Sequence, residues 1–308
     1  MGTPEFAVPS LETLAASKHQ IAGVVSAFPM PSGRGLKIAA TPVAFRAGQL
    51  GLDVRMPERL KEPEFLGWLS SKKPDVGVVV AFRYLPKEVY ALPRLGTINL
   101  HASLLPRFRG AAPINWAIYY GETKTGVTTF LLDEKIDTGA IFAQQECSIG
   151  PEETAGELSE KLSKAGAELL LETLESLEAG TPKPVPQPEA GISTAPKLKK
   201  EDLFVSWERA AQEVHNQIRA FSPVPTAWGG LGGEVIKIYK SHILDPEKSN
   251  GKPGSWQRFD DRAGLAVNCG EGVVELLELS KEGRKRLTGA EFARGQMRLA
   301  EKTFELTL

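Results

Sequence analysis

Two residue types that often build disulfides or metal sites are scarce in this chain of 308 residues: there are two cysteines and four histidines. Cys147 and Cys269 lie far apart in different halves, so the sequence predicts two reduced thiols rather than a disulfide framework. Two cysteines and four scattered histidines also lack the spacing of a metal-ligand cluster. We therefore expect a cytoplasmic protein that holds no metal ion.

Long apolar runs and a strong excess of one charge are also absent. No stretch of 18 or more apolar residues occurs, so no transmembrane helix is predicted. The N-terminus has no basic region followed by an apolar core, and we expect no secretory signal. With a formal net charge of −1, the chain is not expected to be a general nucleic-acid binder, although a local basic surface remains open.

Three motifs of large enzyme classes are missing as well. The sequence contains no G-x-S-x-G, which argues against a serine nucleophile elbow. It contains no G-x-G-x-x-G and no Walker A pattern, which argues against a nucleotide cofactor. Candidate catalytic residues must therefore be sought among other groups of polar side chains.

Strand and helix patterns alternate in the first half of the chain. Ile21–Ser26, Val76–Ala81 and Thr97–Leu100 are short apolar runs, whereas Leu11–Ser17 and Glu64–Ser71 have helical spacing. Continuous valine-rich runs are typical of strands buried on both faces, as in a parallel sheet. The alternation predicts a doubly wound α/β domain with a parallel-rich sheet.

Two further strands and one long helix are predicted next. The strands are Val127–Leu132 and Ala140–Gln144. Thr154 followed by Glu157 is a capping box, and apolar residues at helical spacing continue from there to about Ala179. This helix is expected to close the first domain.

The second half begins with a Pro- and Lys-rich stretch, Gly180–Lys200, which we interpret as a linker. Beyond it, Trp207–Phe221 is predicted to form a helix, and the remainder contains short strands typical of a small β-barrel or sandwich. The predicted division is a first domain at 1–179, a linker at 180–200 and a second domain at 201–308.

A histidine and two other polar residues are the best candidates for chemistry. Asn99 and His101 project to the same face at the end of a predicted strand, and ligands bind at such ends in open α/β sheets. An amide beside an imidazole suits the stabilisation of an oxyanion. Asp137, in the segment DEKIDTG, could hold the histidine tautomer and favour its protonated form. Residue types alone leave open a core histidine, a strand-ending asparagine and a simple Asx-turn.

Basic residues cluster in three places. Arg34 and Lys37 lie in a glycine-rich loop, and Arg107 and Arg109 flank a phenylalanine beside the candidate site. Residues 281–302 carry a further excess of basic side chains. Each cluster could contact a phosphate backbone, or could be an ordinary solvated surface.

Three stretches together show a family resemblance. The segment from Asn99 to Pro113 (NLHASLLPRFRGAAP), followed by DEKIDTG at 133–139, resembles the folate-dependent formyltransferases. The opening GTPEFAVPS at 2–10 narrows the resemblance to the branch that formylates methionyl-tRNA. APKLKKED, IRAFSPVPTAW and LTGAEFARG resemble the second domain of that branch.

The resemblance implies a two-domain enzyme. A Rossmann-like formyltransferase domain would bind 10-formyltetrahydrofolate as cosubstrate, and a smaller OB-like β-barrel would help to hold the tRNA. The acceptor would be the α-amino group of methionine on initiator methionyl-tRNA, and the enzyme would be a monomer without a metal or a membrane anchor. Transfer to a small amine, glycinamide ribonucleotide or an amino sugar nucleotide, and an inactive folate- or RNA-binding module remain the alternatives.

Site residues follow from the same resemblance. Asn99 and protonated His101 are expected to stabilise the oxyanion, and Asp137 to orient the histidine and relay a proton. The expected folate-site residues are Phe82, Arg83, Tyr84, Leu85, Ser103, Leu104, Leu105, Pro106 and Asp133. The expected tRNA-binding residues are Arg34, Lys37, Arg107, Arg109 and Lys197.

One departure concerns the N-terminus. Members of the resembling branch usually have a short apolar strand before GTPEF, whereas this sequence starts at that turn. We therefore expect backbone groups of the neighbouring strands to be left unpaired.

Overall fold

A computed structural model describes residues 1–29, 31–32, 37–181, 183–257, 264–295 and 303–306. Its helices are α1 (Val8–Ala16), α2 (Pro42–Gln49), α3 (Pro63–Ser71), α4 (Lys87–Tyr90), α5 (Pro113–Tyr119), α6 (Ala155–Glu178), α7 (Ala211–Ala220) and α8 (Gly289–Gly295). Within the described ranges, none of these helices has the length and apolar character needed to cross a membrane.

The strands fall into an earlier and a later group. The earlier ones are β1 (Val24–Val25), β2 (Pro31–Ser32), β3 (Lys37–Ile38), β4 (Val54–Arg55), β5 (Gly77–Val80), β6 (Thr97–His101), β7 (Arg109–Gly110), β8 (Lys124–Leu131), β9 (Ile141–Ser148) and β10 (Thr194–Ala195). The later ones are β11 (Ala227–Leu231), β12 (Glu234–Asp245), β13 (Trp256–Gln257), β14 (Leu265–Asn268), β15 (Val273–Lys281) and β16 (Leu287–Thr288).

The chain divides into two compact units, and each unit draws on three separate stretches. The first unit contains Met1–Gly110, Thr125–Cys147 and Ser159–Thr194. The second unit contains Ala111–Lys124, Ser148–Leu158 and Ala195–Leu308. The division at 1–179, 180–200 and 201–308 stays a prediction. Most of the stretch predicted to be a linker is counted here with the first unit.

The first unit has the parallel strand pairs expected of a Rossmann-like fold. β1 pairs with β4 and β5 pairs with β6, both in parallel. β8 then joins β6 in antiparallel orientation, and β9 lies next to β8. Because β5 and β6 run parallel, their carboxyl ends meet at one edge of the sheet, which is where the candidate residues begin.

Met1 and Gly2 connect the two parallel pairs. The Gly2 amide donates to the Val25 carbonyl at 3.0 Å, and the Val80 amide donates to the Met1 carbonyl at 2.9 Å. The expectation of unpaired backbone groups is therefore wrong at Val25 and Val80. The Met1 amino group donates to the Val78 carbonyl at 2.6 Å, and burial lowers its pKa to about 5. A cavity of about 670 Å³ lies beside this contact between β1 and β5.

The capping box predicted for the long helix is confirmed. The Glu157 carboxylate accepts from the Thr154 amide at 2.8 Å, and the Glu157 amide donates to the Thr154 hydroxyl at 3.3 Å. α6 ends at Glu178, within one residue of the predicted end. Its Gly166 approaches β6 so closely that an added Cβ would lie 2.7 Å from the Leu100 side chain.

The second unit contains an antiparallel sheet with the strand order β11-β12-β15-β14-β13, and β16 also pairs with β15. This confirms the prediction of a small β-rich unit. The predicted helix Trp207–Phe221 begins later, at Ala211, where the Glu213 carboxylate accepts from the Ala210 amide at 3.3 Å. Trp207 instead lies in the preceding turn with a fully buried side chain.

Candidate active site

Asn99 and His101 lie at the carboxyl end of β6. Asn99 is opposite Val79 of β5, and His101 is opposite Thr128 of β8. Their i, i+2 spacing directs both side chains to one face of the strand. His101 is buried and Asn99 is half-buried, so the asparagine amide lies nearer to solvent than the imidazole.

The His101 ring is fixed between a carbonyl and a carboxylate. Its Nε2 lies 2.9 Å from the Phe108 carbonyl oxygen, and its Nδ1 lies 3.6 Å from Oδ2 of Asp137. The carbonyl can only accept, so Nε2 carries a proton. A second proton on Nδ1 would face the Asp137 carboxylate directly. Asp137 is also buried, and the pair is shielded from solvent.

A turn with an unusual backbone conformation presents Asp137. Its φ angle is +55°, in the left-handed region that non-glycine residues seldom adopt. Its Oδ2 accepts from the Gly110 amide at 2.8 Å. The Asx-turn considered for Asp137 belongs instead to Asp133, whose Oδ1 accepts from the Lys135 amide at 3.0 Å.

The loop after β6 packs its own polar groups inward. The Ser103 hydroxyl donates to the Arg107 carbonyl at 2.6 Å. The Leu105 carbonyl accepts from Nε2 of Gln144 at 2.9 Å. Of the residues expected to line the folate site, Ser103, Leu105 and Pro106 are buried in this loop and Leu104 is half-buried.

Four other expected folate residues, Phe82–Leu85, follow β5 at the same sheet edge, whereas Asp133 follows β8. The Arg83 guanidinium donates to the carbonyls of Pro57 and Glu58 at 2.6 and 2.8 Å. Leu85 is buried, whereas 68% of the Tyr84 surface is exposed. Phe82 packs against the same apolar cluster as Leu85. Asp133 is exposed, and its carboxylate also accepts from the Thr138 hydroxyl at 2.8 Å.

The expected tRNA-binding residues are only partly described. Arg34 lies outside the described residues, and of Lys37 only the backbone, in β3, is described. Arg107 is exposed, with its guanidinium 5.3 Å from the centre of the Phe108 ring. Lys197 is exposed in the second unit.

Arg109 is hydrogen-bonded to Gln187, a residue that the sequence pattern did not single out. Its Nε and Nη2 donate to Oε1 of Gln187 at 3.1 and 2.6 Å. Gln187 lies in the stretch predicted to be a linker, where a single glutamine among prolines gives no recognisable signal. A contact with the DEKIDTG turn, 50 residues earlier, could not be predicted from local spacing.

The arrangement suits acyl-group chemistry. The Asn99 amide and the Nε2–H of His101 lie at a strand end, where ligands of open α/β sheets bind, and donors of this kind can stabilise an oxyanion. A buried carboxylate behind the imidazole fixes its orientation. Within the described ranges, no group of three or more His, Cys, Asp or Glu side chains is placed to hold a metal ion.

Comparisons with known proteins identify the family of the chain. The family described as "Formyl transferase" matches residues 1–174, and "Formyl transferase, C-terminal domain" matches residues 197–297. The chain therefore belongs to the formyl transferase family. It is an enzyme family that uses folate.

Individual relatives are similar over nearly the full length. A methionyl-tRNA formyltransferase of Porphyromonas gingivalis is 42% identical over 307 residues, covering 96% of this chain and 94% of the relative. One from Syntrophus aciditrophicus is 44% identical over 296 residues, with the same coverage. The fold is also similar to Aquifex aeolicus HypX in complex with tetrahydrofolic acid, with a TM-score of 0.60, 23% identity and coverage of 80% of this chain and 43% of that one.

Proposed function

We propose that this enzyme transfers the formyl group of 10-formyltetrahydrofolate to the α-amino group of methionine on initiator methionyl-tRNA. The observation that carries the proposal is the buried His101–Asp137 pair beside Asn99 at the carboxyl end of β6. Relatives that are 42–44% identical over 96% of the chain carry the name methionyl-tRNA formyltransferase. We expect a cytoplasmic monomer, in keeping with two cysteines that form no disulfide.

The proposed reaction is a direct transfer. The methionine amine attacks the formyl carbon, a new C–N bond forms, and the carbonyl electrons move onto oxygen. Asn99 donates a hydrogen bond to that oxyanion, and the Nε2–H of His101 gives up its bond to the Phe108 carbonyl oxygen and donates to the oxyanion instead. A water molecule passes the amine proton to Asp137, and collapse of the intermediate breaks the bond to N10 of the folate. N10 takes up a proton, which leaves formylmethionyl-tRNA and tetrahydrofolate.

The folate is proposed to bind along the two loops that follow β5 and β6. Phe82–Leu85 and Ser103–Pro106 start at adjacent strand ends, and Asp133 precedes the turn that presents Asp137. Because most side chains of the second loop are buried and the Arg83 guanidinium is bonded to two carbonyls, the polar contacts to the pterin are proposed to come largely from the backbone. This is the crevice outside the strand ends where ligands of open α/β sheets bind.

The tRNA is proposed to contact Arg34, Lys37, Arg107, Arg109 and Lys197. Arg107 and Lys197 are exposed, as phosphate-contacting side chains must be. Contacts of this type give affinity that falls steeply with salt. Arg109 would contact the tRNA either while it keeps its hydrogen bonds to Gln187 or after it has released them.

The test is formyl transfer from 10-formyltetrahydrofolate with two acceptors in parallel, methionyl initiator tRNA and glycinamide ribonucleotide. Transfer to the tRNA alone is the expected result. Transfer to the small amine alone would assign the enzyme to the alternative branch. Folate binding without transfer to either acceptor would contradict the proposal and favour an inactive binding module.

A further inference from the structure

The segment between α6 and β10 touches both loops that hold the catalytic pair. Val185 and Ile141 exchange two backbone hydrogen bonds, each of 2.8 Å, just after the turn that carries Asp137. At the other end, Ser193 accepts from the Phe108 amide through its hydroxyl and from the Arg109 amide through its carbonyl, both at 2.9 Å. We name residues 185–193 the strap.

Gln187, in the middle of the strap, makes four hydrogen bonds with its amide. Its Nε2 donates to the carbonyls of Asp137 and Gly139, both at 2.9 Å. Its Oε1 accepts from Nε and Nη2 of Arg109 at 3.1 and 2.6 Å. Both amide protons and the carbonyl oxygen are thus used, and the side chain joins the turn on one side to the arginine loop on the other.

These contacts act on the backbone of the strained turn rather than on the reacting groups. Asp137 has a φ of +55°, and a residue in that region persists only where its surroundings hold it. Gln187 binds the carbonyl of Asp137 itself and that of Gly139 two residues later. The Asp137 carboxylate then reaches both the Gly110 amide and the His101 ring.

We propose that Gln187 is a positioning residue for the transfer reaction: it sets the distance between Asp137 and His101 by clamping the Asp137 turn to Arg109. This rests on the proposed function, in which Asp137 and His101 act together. Gln187 touches neither reacting group through its own side chain. As long as Arg109 keeps its acceptor, the loss of the two bonds to the turn therefore destabilises the transition state and leaves the binding of both substrates nearly unchanged.

The sharpest variant is Gln187→Glu. Glutamate keeps the acceptor for Arg109 but has no amide protons for the carbonyls of Asp137 and Gly139. Since a misplacement of about 1 Å can cost on the order of 10²-fold in rate, we expect kcat to fall by about 10-fold to 100-fold. KM for 10-formyltetrahydrofolate and for methionyl-tRNA should change by less than about threefold, since these contacts matter in the transition state.

The matched control is Gln49→Glu, because Gln49 on α2 also accepts from an arginine, Arg46, at 3.0 Å and is exposed. It should retain wild-type kcat. Gln187→Met, which removes the bonds to Arg109 without adding a charge, should repeat the loss in kcat. It also serves as the test variant if Gln187→Glu does not fold.

A double-mutant cycle distinguishes a positioning role of Gln187 from a general loss of structure. If Gln187 acts through Asp137, adding Gln187→Glu to Asp137→Asn should lower kcat by less than about threefold further. A wild-type kcat in folded Gln187→Glu and Gln187→Met, or an undiminished loss on the Asp137→Asn background, would overturn the inference. Failure of the proposed function appears separately, as a wild-type enzyme that formylates no tRNA.

Discussion

Each compact unit buries one histidine, and the two histidines differ in the groups that face their ring nitrogens. His215 of α7 has Nδ1 2.9 Å from the Ser241 hydroxyl and Nε2 3.1 Å from the Pro151 carbonyl, so a neutral ring satisfies both nitrogens. The pKa of His215 is lowered, and burial is the largest cause. His101 instead faces two groups that can only accept, a carbonyl and a carboxylate.

Burial alone therefore does not distinguish a structural histidine from a catalytic one. His215 lies inside a helix whose neighbours are core residues, whereas His101 ends a strand beside a half-buried amide. The carboxylate near His215, that of Glu152, lies 3.7 Å from Nε2 and is 47% exposed. Asp137 is buried and held by a backbone amide. Matched substitutions beside His101 and beside His215 test whether this difference in surroundings corresponds to a difference in function.

Apart from removal of the His101 ring itself, the largest effect is expected for Asp137→Asn. Asparagine can still accept from the Gly110 amide, so the turn should persist, but the charge beside His101 is lost. We expect kcat to fall by about 10²-fold, as for loss of a proton-transfer group. Glu152→Gln is the matched control next to His215 and should leave kcat unchanged. Equal rates for Asp137→Asn and wild type would show that the carboxylate has no part in transfer.

A smaller effect, this time on stability, is expected for Gly139→Ala. An added Cβ would collide with the Leu131 carbonyl oxygen, a backbone atom that cannot move aside. The free energy of unfolding should fall by about 1–3 kcal/mol, measured by urea denaturation. Gly67→Ala, on α3 with no atom within 4 Å, should instead raise it by about 0.5–1 kcal/mol. If both variants were equally stable, the close approach at Gly139 would be contradicted.

The smallest effect is expected in the pH dependence of stability. His215 takes up a proton near its ordinary pKa of about 6.5 in the unfolded chain but less readily in the folded one, because its folded pKa is lowered. The unfolded state thus binds more protons below about pH 6.5, and the free energy of unfolding declines as the pH falls from there. His215→Gln should reduce this decline, measured by urea midpoints at pH 7.5 and 5.5. An unchanged decline would place its origin elsewhere.

Local patterns allowed much of the fold to be predicted. The three short apolar runs contain β1, β5 and β6, and the capping box at Thr154 marked the start of α6. α5 was missed because the proline at its first turn, Pro113, follows a glycine- and alanine-rich stretch that suggests a loop. Trp207 was placed in a helix because its apolar spacing continues into α7, although it packs from the preceding turn.

The candidate site was predicted only where its residues are close in sequence or match a known motif. Asn99 and His101 share a strand end, and Asp137 was found through DEKIDTG and its resemblance to the formyltransferases. Gln187 was missed because its partners lie 48 to 78 residues away and its own segment has no periodicity. Residue types alone left an Asx-turn open for Asp137, whereas Asp133 is the aspartate whose carboxylate accepts from an amide two residues later.

The most direct measurement compares His101→Ala with His215→Ala in formyl transfer to methionyl initiator tRNA, with folate binding and folding measured in parallel. Removing an oxyanion donor costs about 10²–10³-fold in rate, and this is the loss predicted for folded His101→Ala with folate binding retained. Folded His215→Ala should keep a rate within about threefold of wild type, since it contacts no reacting group. A near-wild-type rate for His101→Ala would contradict the assignment of the buried pair as the catalytic centre.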